Sequence, residues 1–413
     1  MPLNNIKTRW ILLIVIWFIV FFIFAMLQAV SPLLPVIIEE LKITYWMGGL
    51  LYIAPMAAIV GFSYPLGLFA DKIGVEKAIA FGMLMAIIFG FLRGFSTGFV
   101  SLLFTTLLYG TGLTFCFVSL AKFVKRYFPI YLLAIATGVY SSAIPTGSGV
   151  GISLTLPLAQ FFELNWRSTF WVWGIIAVPV FFIWIALVRK QSNKTVIQAS
   201  SESISFVFPN NKLNDNKPDE QHLSSGLQGN IKIVLIAGAL FFLLNLFFYA
   251  ATGWLPTYLT ESGWEPGFSA LAASTVPLSE IPAILISPLF SLGRKKLLMF
   301  SGYLGIALSI LVIVLFPAAA WPACFTLGLS LGTIFPLILS IPAEIPNIGE
   351  NVAKASGILL STGYLGPLVG VPLLGLFRDI YGDFLPGFIL LIFLAVFAAL
   401  LSFKLPEYIG KES

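Results

Sequence analysis

The stretch WILLIVIWFIVFFIFAMLQAVSPLLPVII, residues 10–38, holds no charged side chain and is interrupted only by Gln28, Ser31 and two prolines. About 20 apolar residues cross a hydrocarbon layer of about 30 Å, so this run spans a membrane. Lys7 and Arg9 precede it, as in a secretory leader, but a leader's apolar core is roughly 7–15 residues and this run is about twice that. Outward from it the pattern repeats. Further spans are expected near 45–70, 77–95, 99–120, 132–160 and 168–188, then 231–258, 268–290, 297–316, 319–345, 354–377 and 384–403. The expected fold is all-α and integral to the membrane, with 12 transmembrane helices in two pseudo-symmetric six-helix bundles. Residues 1–188 form the first bundle, the Ser-, Asn- and Lys-rich stretch 189–230 a flexible cytoplasmic linker, and residues 231–413 the second bundle.

Composition agrees. The 413 residues are 59% hydrophobic and 10% charged, against about 45–50% and about 25% in soluble domains. The net charge of +5 invites a nucleic-acid reading, but topology explains it. With the N-terminus inside, 19 of the 23 basic residues fall on the cytoplasmic side and 4, Lys42, Arg93, Arg167 and Arg378, near the outer one. That bias puts both termini in the cytoplasm. Cys116 and Cys324 lie inside apolar runs, and the single histidine, His222, sits in the polar linker with no second histidine to make a site. No metal site, cofactor or nucleic-acid partner is expected. Gly328-Leu-Ser330-Leu-Gly332 fits the pattern of a hydrolase nucleophile elbow, but that turn needs a strand, a helix and a histidine partner. Within an apolar helix it reads as packing.

The halves share a register. A shift of 219 carries Gly74 to Gly293, Lys77 to Lys296, Ala136 to Ala355, Gly138 to Gly357, Ser142 to Ser361, Gly147 to Gly366 and Gly151 to Gly370. Repeats of six helices around a central site are one plan for transporters.

After the second span comes Gly67-Leu-Phe-Ala-Asp71-Lys72-Ile-Gly74-Val75-Glu76-Lys77. It resembles the signature loop of the major facilitator superfamily, departing at Val75 and Glu76, where that family carries basic residues. The resemblance implies a conformational latch of Gly67, Asp71, Lys72, Gly74 and Lys77. In it, Gly67 admits a neighbouring helix closely and Asp71 accepts N–H groups at the start of span 11. The counterpart of Asp71 under the shift is Phe290, so the second half lacks the equivalent contact. Leu92-Arg93-Gly94, Lys122-Phe-Val-Lys125-Arg126-Tyr127-Phe128-Pro129 and Ala136-Thr-Gly138-Val-Tyr140-Ser141 are similar to the cyanate and 2-nitroimidazole porter branch. The family's span-4 arginine, four residues before a glycine, is Thr106 here, before Gly110, so coupling through that arginine does not carry over.

An ionisable residue deep in a span costs at least about 2.5–3.5 kcal/mol to insert, which makes it a functional candidate. Glu280, in Thr-Val-Pro277-Leu-Ser-Glu280-Ile-Pro282, lies about 18 Å into its span, near the midplane. Its prolines free carbonyls and are expected to break the helix locally, as at transporter sites. Such a carboxyl suits proton coupling or a cationic ligand. Arg93, toward the outer end of span 3, is expected on a peripheral helix, reaching for lipid headgroups; facing inward, it is an anion ligand or a partner for Glu280. Glu344 is expected at the cytoplasmic interface. The resemblance implies that Gln28, Tyr52, Tyr140, Ser142, Asn245, Tyr249, Thr333, Ser361 and Tyr364 lie on cavity-lining spans, which makes these polar residues the candidate cavity lining. Gly147, Gly151, Gly366, Pro367 and Gly370 are candidate hinge or packing positions.

Together these imply a secondary transporter in the cell membrane, moving a small organic solute by alternating access, with protons as the coupling ion. A non-transporting receptor on the same fold is the competing reading. Small solute and lipid bilayer are the expected partners, and a monomer the expected state.

Overall fold

A computed structural model describes residues 6–129, 132–163, 165–199, 220–291, 293–345 and 352–406, and among these every regular element is helical. The first span is two helices, α1 (Ile6–Gln28) and α2 (Leu34–Leu41), joined by a 3-10 turn at Ser31–Leu33. Pro32 has no N–H to return to the carbonyl of Gln28, so the long apolar run bends there. There follow α3 (Tyr45–Ile73), α4 (Val75–Leu92), α5 (Phe99–Tyr127), α6 (Leu133–Phe161) and α7 (Trp166–Ala199). The second half comprises α8 (Glu220–Glu261), α9 (Pro266–Ile286), α10 (Lys295–Leu315), α11 (Ala320–Glu344), α12 (Val352–Tyr381) and α13 (Leu385–Ser402). Eleven helical segments among the described residues are long and apolar enough to cross a membrane, and α6 fills the place of the fifth expected span. Large apolar side chains such as Phe104, Phe182 and Phe393 stand exposed on the outer surface, where lipid tails receive them.

Helix continues into the stretch expected as a loop. α7 runs on to Ala199 and α8 begins at Glu220, because Arg189, Lys190, Gln191, Gln221 and Gln228 are good helix formers once an apolar span has nucleated the helix. His222 falls on α8, and its side chain lies outside the described residues.

The register shared by the halves is a structural repeat. α1 packs on α6, α3 and α4 on α5, and α4 on α7; in the same order α8 packs on α12, α9 and α10 on α11, and α10 on α13. The glycines permit it. A Cβ at Gly147 or Gly151 would run into the backbone of Phe21 or Ala25 on α1. One at Gly366 would meet the backbone of Phe242 on α8, and one at Gly370 the side chain of Leu246. Close packing is therefore their visible role. Gly74 and Gly293, also 219 apart, both adopt positive φ, +89° and +67°, which L side chains rarely take. Contact between halves is most extensive along two helix pairs, α3 with α12 and α6 with α9, and the 3-10 turn at Ser31–Leu33 also meets α8.

Candidate functional site

A cavity of about 330 Å³ lies between the halves. α6 contributes Thr137, Gly138, Tyr140, Ser141, Ser142, Ile144 and Pro145 to its wall, and α8 contributes Phe241, Asn245, Phe248 and Tyr249. Glu280, Ile281 and Ile284 come from α9, Phe335 from α11 and Tyr364 from α12. The wall extends toward the end of the molecule that carries Asp71, through the first turns of α6 and the last of α9.

Among the described residues Glu280 is the only carboxyl on this wall, no Lys, Arg or His joins it there, and it is half-buried. No hydrogen bond or ion pair among the described residues engages its carboxyl. Its helix is held from behind: a Cβ at Gly332 of α11 would lie 2.8 Å from the Glu280 Cα, and Ser279 Oγ donates to the Phe325 carbonyl at 2.9 Å. Gly328 likewise seats the carbonyl of Val276, so the glycines of the apparent nucleophile elbow pack α11 onto α9. Pro277 and Pro282 do not interrupt α9, which is continuous from Pro266 to Ile286 and packs along α11, so the expected local break is not made.

Asn245 Nδ2 donates to the Phe241 carbonyl one turn back, at 2.9 Å, and its oxygen is left for the cavity. The Tyr364 ring stands edge-on to Phe117 and Phe241, with centroids 6.4 and 6.1 Å apart. Ser142 Oγ accepts from Trp17 Nε1 at 3.0 Å and donates to the Val139 carbonyl, so its bonds are largely spoken for. Tyr140 and Tyr249 complete the predicted residues that reach the cavity.

Gln28, Tyr52, Thr333, Ser361 and Arg93 do not line it. Thr333 returns its hydroxyl to the Leu329 carbonyl at 2.7 Å, and Ser361 is exposed on another face of α12. Gln28 and Tyr52 are buried beyond the cavity, in the seal at the opposite end. Tyr52 Oη donates to Gln28 Oε1 and lies 2.9 Å from Thr252 Oγ1; Ser31 Oγ bonds the carbonyls of Thr252 and Gly253 at 2.5 and 3.1 Å. Further out, the Asp379 carboxylate at the end of α12 accepts both Tyr45 N–H and Trp46 N–H at 2.8 Å, capping α3 from the other half. Glu261 accepts from the Tyr45 hydroxyl at 2.9 Å and from Arg378 Nε at 3.1 Å, with Arg378 4.8 Å over the Tyr45 ring. A Cβ at Gly49 would sit 3.0 Å from Pro372 Cα, and one at Gly375 2.6 Å from the Tyr45 carbonyl carbon. Nothing in the sequence pairs these residues, since the partners lie on spans far apart in the chain.

Arg93 departs from expectation. It is 0% exposed, with Nη1 on the Met26 carbonyl at 3.1 Å and its guanidinium 3.8 Å from the Tyr109 ring centroid. The 3-10 turn Arg93–Phe95 directs it inward, and Gly94 brings α7 close over it. A planar, weakly hydrated guanidinium tolerates such stacking. It braces the bend in α1 and partners neither headgroups nor Glu280.

At the Asp71 end, charges pair within each half. Lys122 Nζ lies 2.6 Å from Asp71 and also donates to the Gly67 carbonyl at 3.2 Å. Asp71 is thus turned to α5 and not to the start of α12, and no atom lies within 4 Å of a Cβ placed at Gly67, so the expected close helix approach is not made there. Lys72 and Lys77 are exposed. Glu76 pairs with Arg126 at 3.3 Å. Glu344, expected at the interface, pairs with Lys295 at 2.5 Å, and that lysine is 2% exposed.

The family model described as Major Facilitator Superfamily matches residues 16–349. The cyanate transport protein CynX of Escherichia coli (strain K12) is 24% identical over 378 residues, 87% of this chain and 88% of that protein. The hexuronate transporter of Bacillus subtilis (strain 168) is 24% identical over 391 residues, covering 90% and 89%. A solved structure of a bacterial homologue of the human lysosomal transporter Spinster, inward-facing and unoccupied, matches with a TM-score of 0.77 at 13% identity. It covers 98% of both chains and speaks to the fold. With a family model covering most of its length, and transporter relatives along nearly all of it, the chain belongs to the Major Facilitator Superfamily: a multi-pass membrane transporter and not an enzyme.

Proposed function

We propose that this protein is a secondary active transporter of the cell membrane that moves a small organic solute through the cavity between its halves by alternating access, coupled to protons through Glu280. The supporting observation is a lone carboxyl, free of partners among the described residues, facing a cavity whose far end is sealed by bonds between halves. The bias in Lys and Arg places both termini and the Asp71 end in the cytoplasm, so the cavity belongs to an inward-facing shape. Two six-helix bundles, residues 1–188 and 231–413 with 189–230 between them, are the moving bodies, and a monomer suffices. In the outward-facing shape Asp71 leaves Lys122 for the first turn of α12, where helix N–H groups favour an anion.

Cyanate and hexuronate, for which the two relatives are named, are both anions, and they belong in any first panel of solutes. The test loads proteoliposomes with a pH-sensitive dye and offers cyanate, glucuronate and small organic amines. A solute that moves protons with the wild type and not with Glu280→Gln, while still exchanging across the membrane, is the expected result. Proton movement unaltered in Glu280→Gln would demote the residue to structural glue.

A further inference from the structure

We infer that the cavity is built for a monovalent organic cation with an apolar or aromatic body, a reading that rests on the cavity being the transport site. Its wall carries one carboxyl, Glu280, and no lysine or arginine among the described residues. The basic side chains deepest in the described residues are engaged elsewhere: Arg93 on Met26 and Tyr109, Lys295 on Ser340 and Glu344. Lys122, nearer the Asp71 end, is held by Asp71 and the Gly67 carbonyl. An anion entering here would meet no lysine or arginine among the described residues, and with Glu280 ionised it would meet a like charge.

A cation meets the reverse. Glu280 supplies the counter-charge, and among the described residues no hydrogen bond or ion pair to its carboxyl would have to be displaced by a ligand. Around it stand Phe117, Phe241, Phe248 and Phe335 with the rings of Tyr140, Tyr249 and Tyr364. Aromatic faces are electron-rich and attract ammonium groups, most strongly where water is excluded. The Asn245 oxygen, left open by a donor bond that uses only its nitrogen, offers an acceptor to an N–H. The wall therefore presents an acid, one amide oxygen and π-faces, all of them complementary to positive charge.

A matched series decides it. Phenethylammonium, its trimethylated form, 2-phenylethanol and 3-phenylpropanoate share one apolar body and differ in the charge of the head. Binding to the purified full-length protein is read by thermal shift and calorimetry, and uptake by proteoliposomes, with cyanate and glucuronate as further anions. The expected result is binding of both cations, at least about tenfold tighter than the alcohol or the acid. Glu280→Gln should erase that advantage, and Glu280→Asp retain part of it. The charge ranking within the wild type stands even if Glu280→Gln proves unstable. Equal or tighter binding of 3-phenylpropanoate, equal binding of 2-phenylethanol, or binding of neither cation overturns the proposal. Uptake of cyanate or glucuronate without cation binding would sink the cationic class and leave transport through this cavity standing. Uptake of none of them, with neither cation bound, would remove both.

Discussion

The two ends of the molecule are wired differently. At one end polar bonds cross between the halves: Tyr52 and Ser31 to α8, Asp379 onto the N-terminus of α3, Glu261 to Tyr45. At the other, Asp71 with Lys122, Glu76 with Arg126 and Lys295 with Glu344 all close within one half. The first set resists separation of the halves. The second keeps each half rigid while leaving it free to move against the other. α3 and α12 run antiparallel, and the contrast is sharpest along this pair. The N-terminus of α3 is capped by a carboxylate from α12, whereas Asp71, at the C-terminus of α3, is neutralised by a lysine of its own half.

Substitutions can break or sharpen that contrast. Nitroxide labels at Lys42→Cys and Ser262→Cys, exposed at the sealed end on opposite halves, report its opening as a distance by pulsed electron resonance. Gly375→Val should act most strongly, because a branched side chain must displace the Tyr45 backbone; overpacking of this kind costs about 1–3 kcal/mol. The long-distance population should dominate, and an unchanged distribution would mean that the α3–α12 contact carries no weight in closure. Tyr52→Phe removes the hydroxyl shared by Gln28 and Thr252 and leaves a buried acceptor unmade, about 1–3 kcal/mol, so the open fraction should rise about fivefold or more. Asp379→Asn weakens a cap in an exposed place, on the order of 0.5–1 kcal/mol, and a few-fold rise is expected. Asp71→Asn should leave both the distances and the melting temperature nearly unchanged, since its side chain is 58% exposed. Its effect should appear only as slower transport, and unaltered rates would reject the latch.

Much of this architecture was legible in the chain. Apolar run lengths gave the spans, and glycines at a constant shift gave the repeat, because insertion in a bilayer and close helix packing are each read from residue type alone. Glu280, Asn245 and Tyr364 were legible for the same reason: polar atoms in hydrocarbon need a purpose. What the chain could not reveal was facing. Thr333 and Ser361 sit on spans that border the cavity, but on turns that look elsewhere, and helices apolar on all sides offer no polar face to settle the rotation. Arg93 was misplaced because depth in a span does not tell whether lipid or protein lies beside it. The sealing residues Thr252, Ser31 and Asp379 were invisible, since each gains its meaning from a partner on a distant span. Phe117 and Phe335 carry no signal in the chain that separates a cavity wall from ordinary core.

Lys295 stands 219 residues after Glu76, and the two open corresponding helices, yet their ion pairs carry opposite sign. In the first half the acid begins α4 and the base ends α5; in the second the base begins α10 and the acid ends α11. A duplicated chain risks mistaken kinship during assembly, with α4 docking on α11 or α10 on α5. Here those wrong couplings would set Glu76 against Glu344 and Lys295 against Arg126, each a like-charge encounter at a helix end. The reversed pairs thus set a like-charge penalty against exchange between the two related halves.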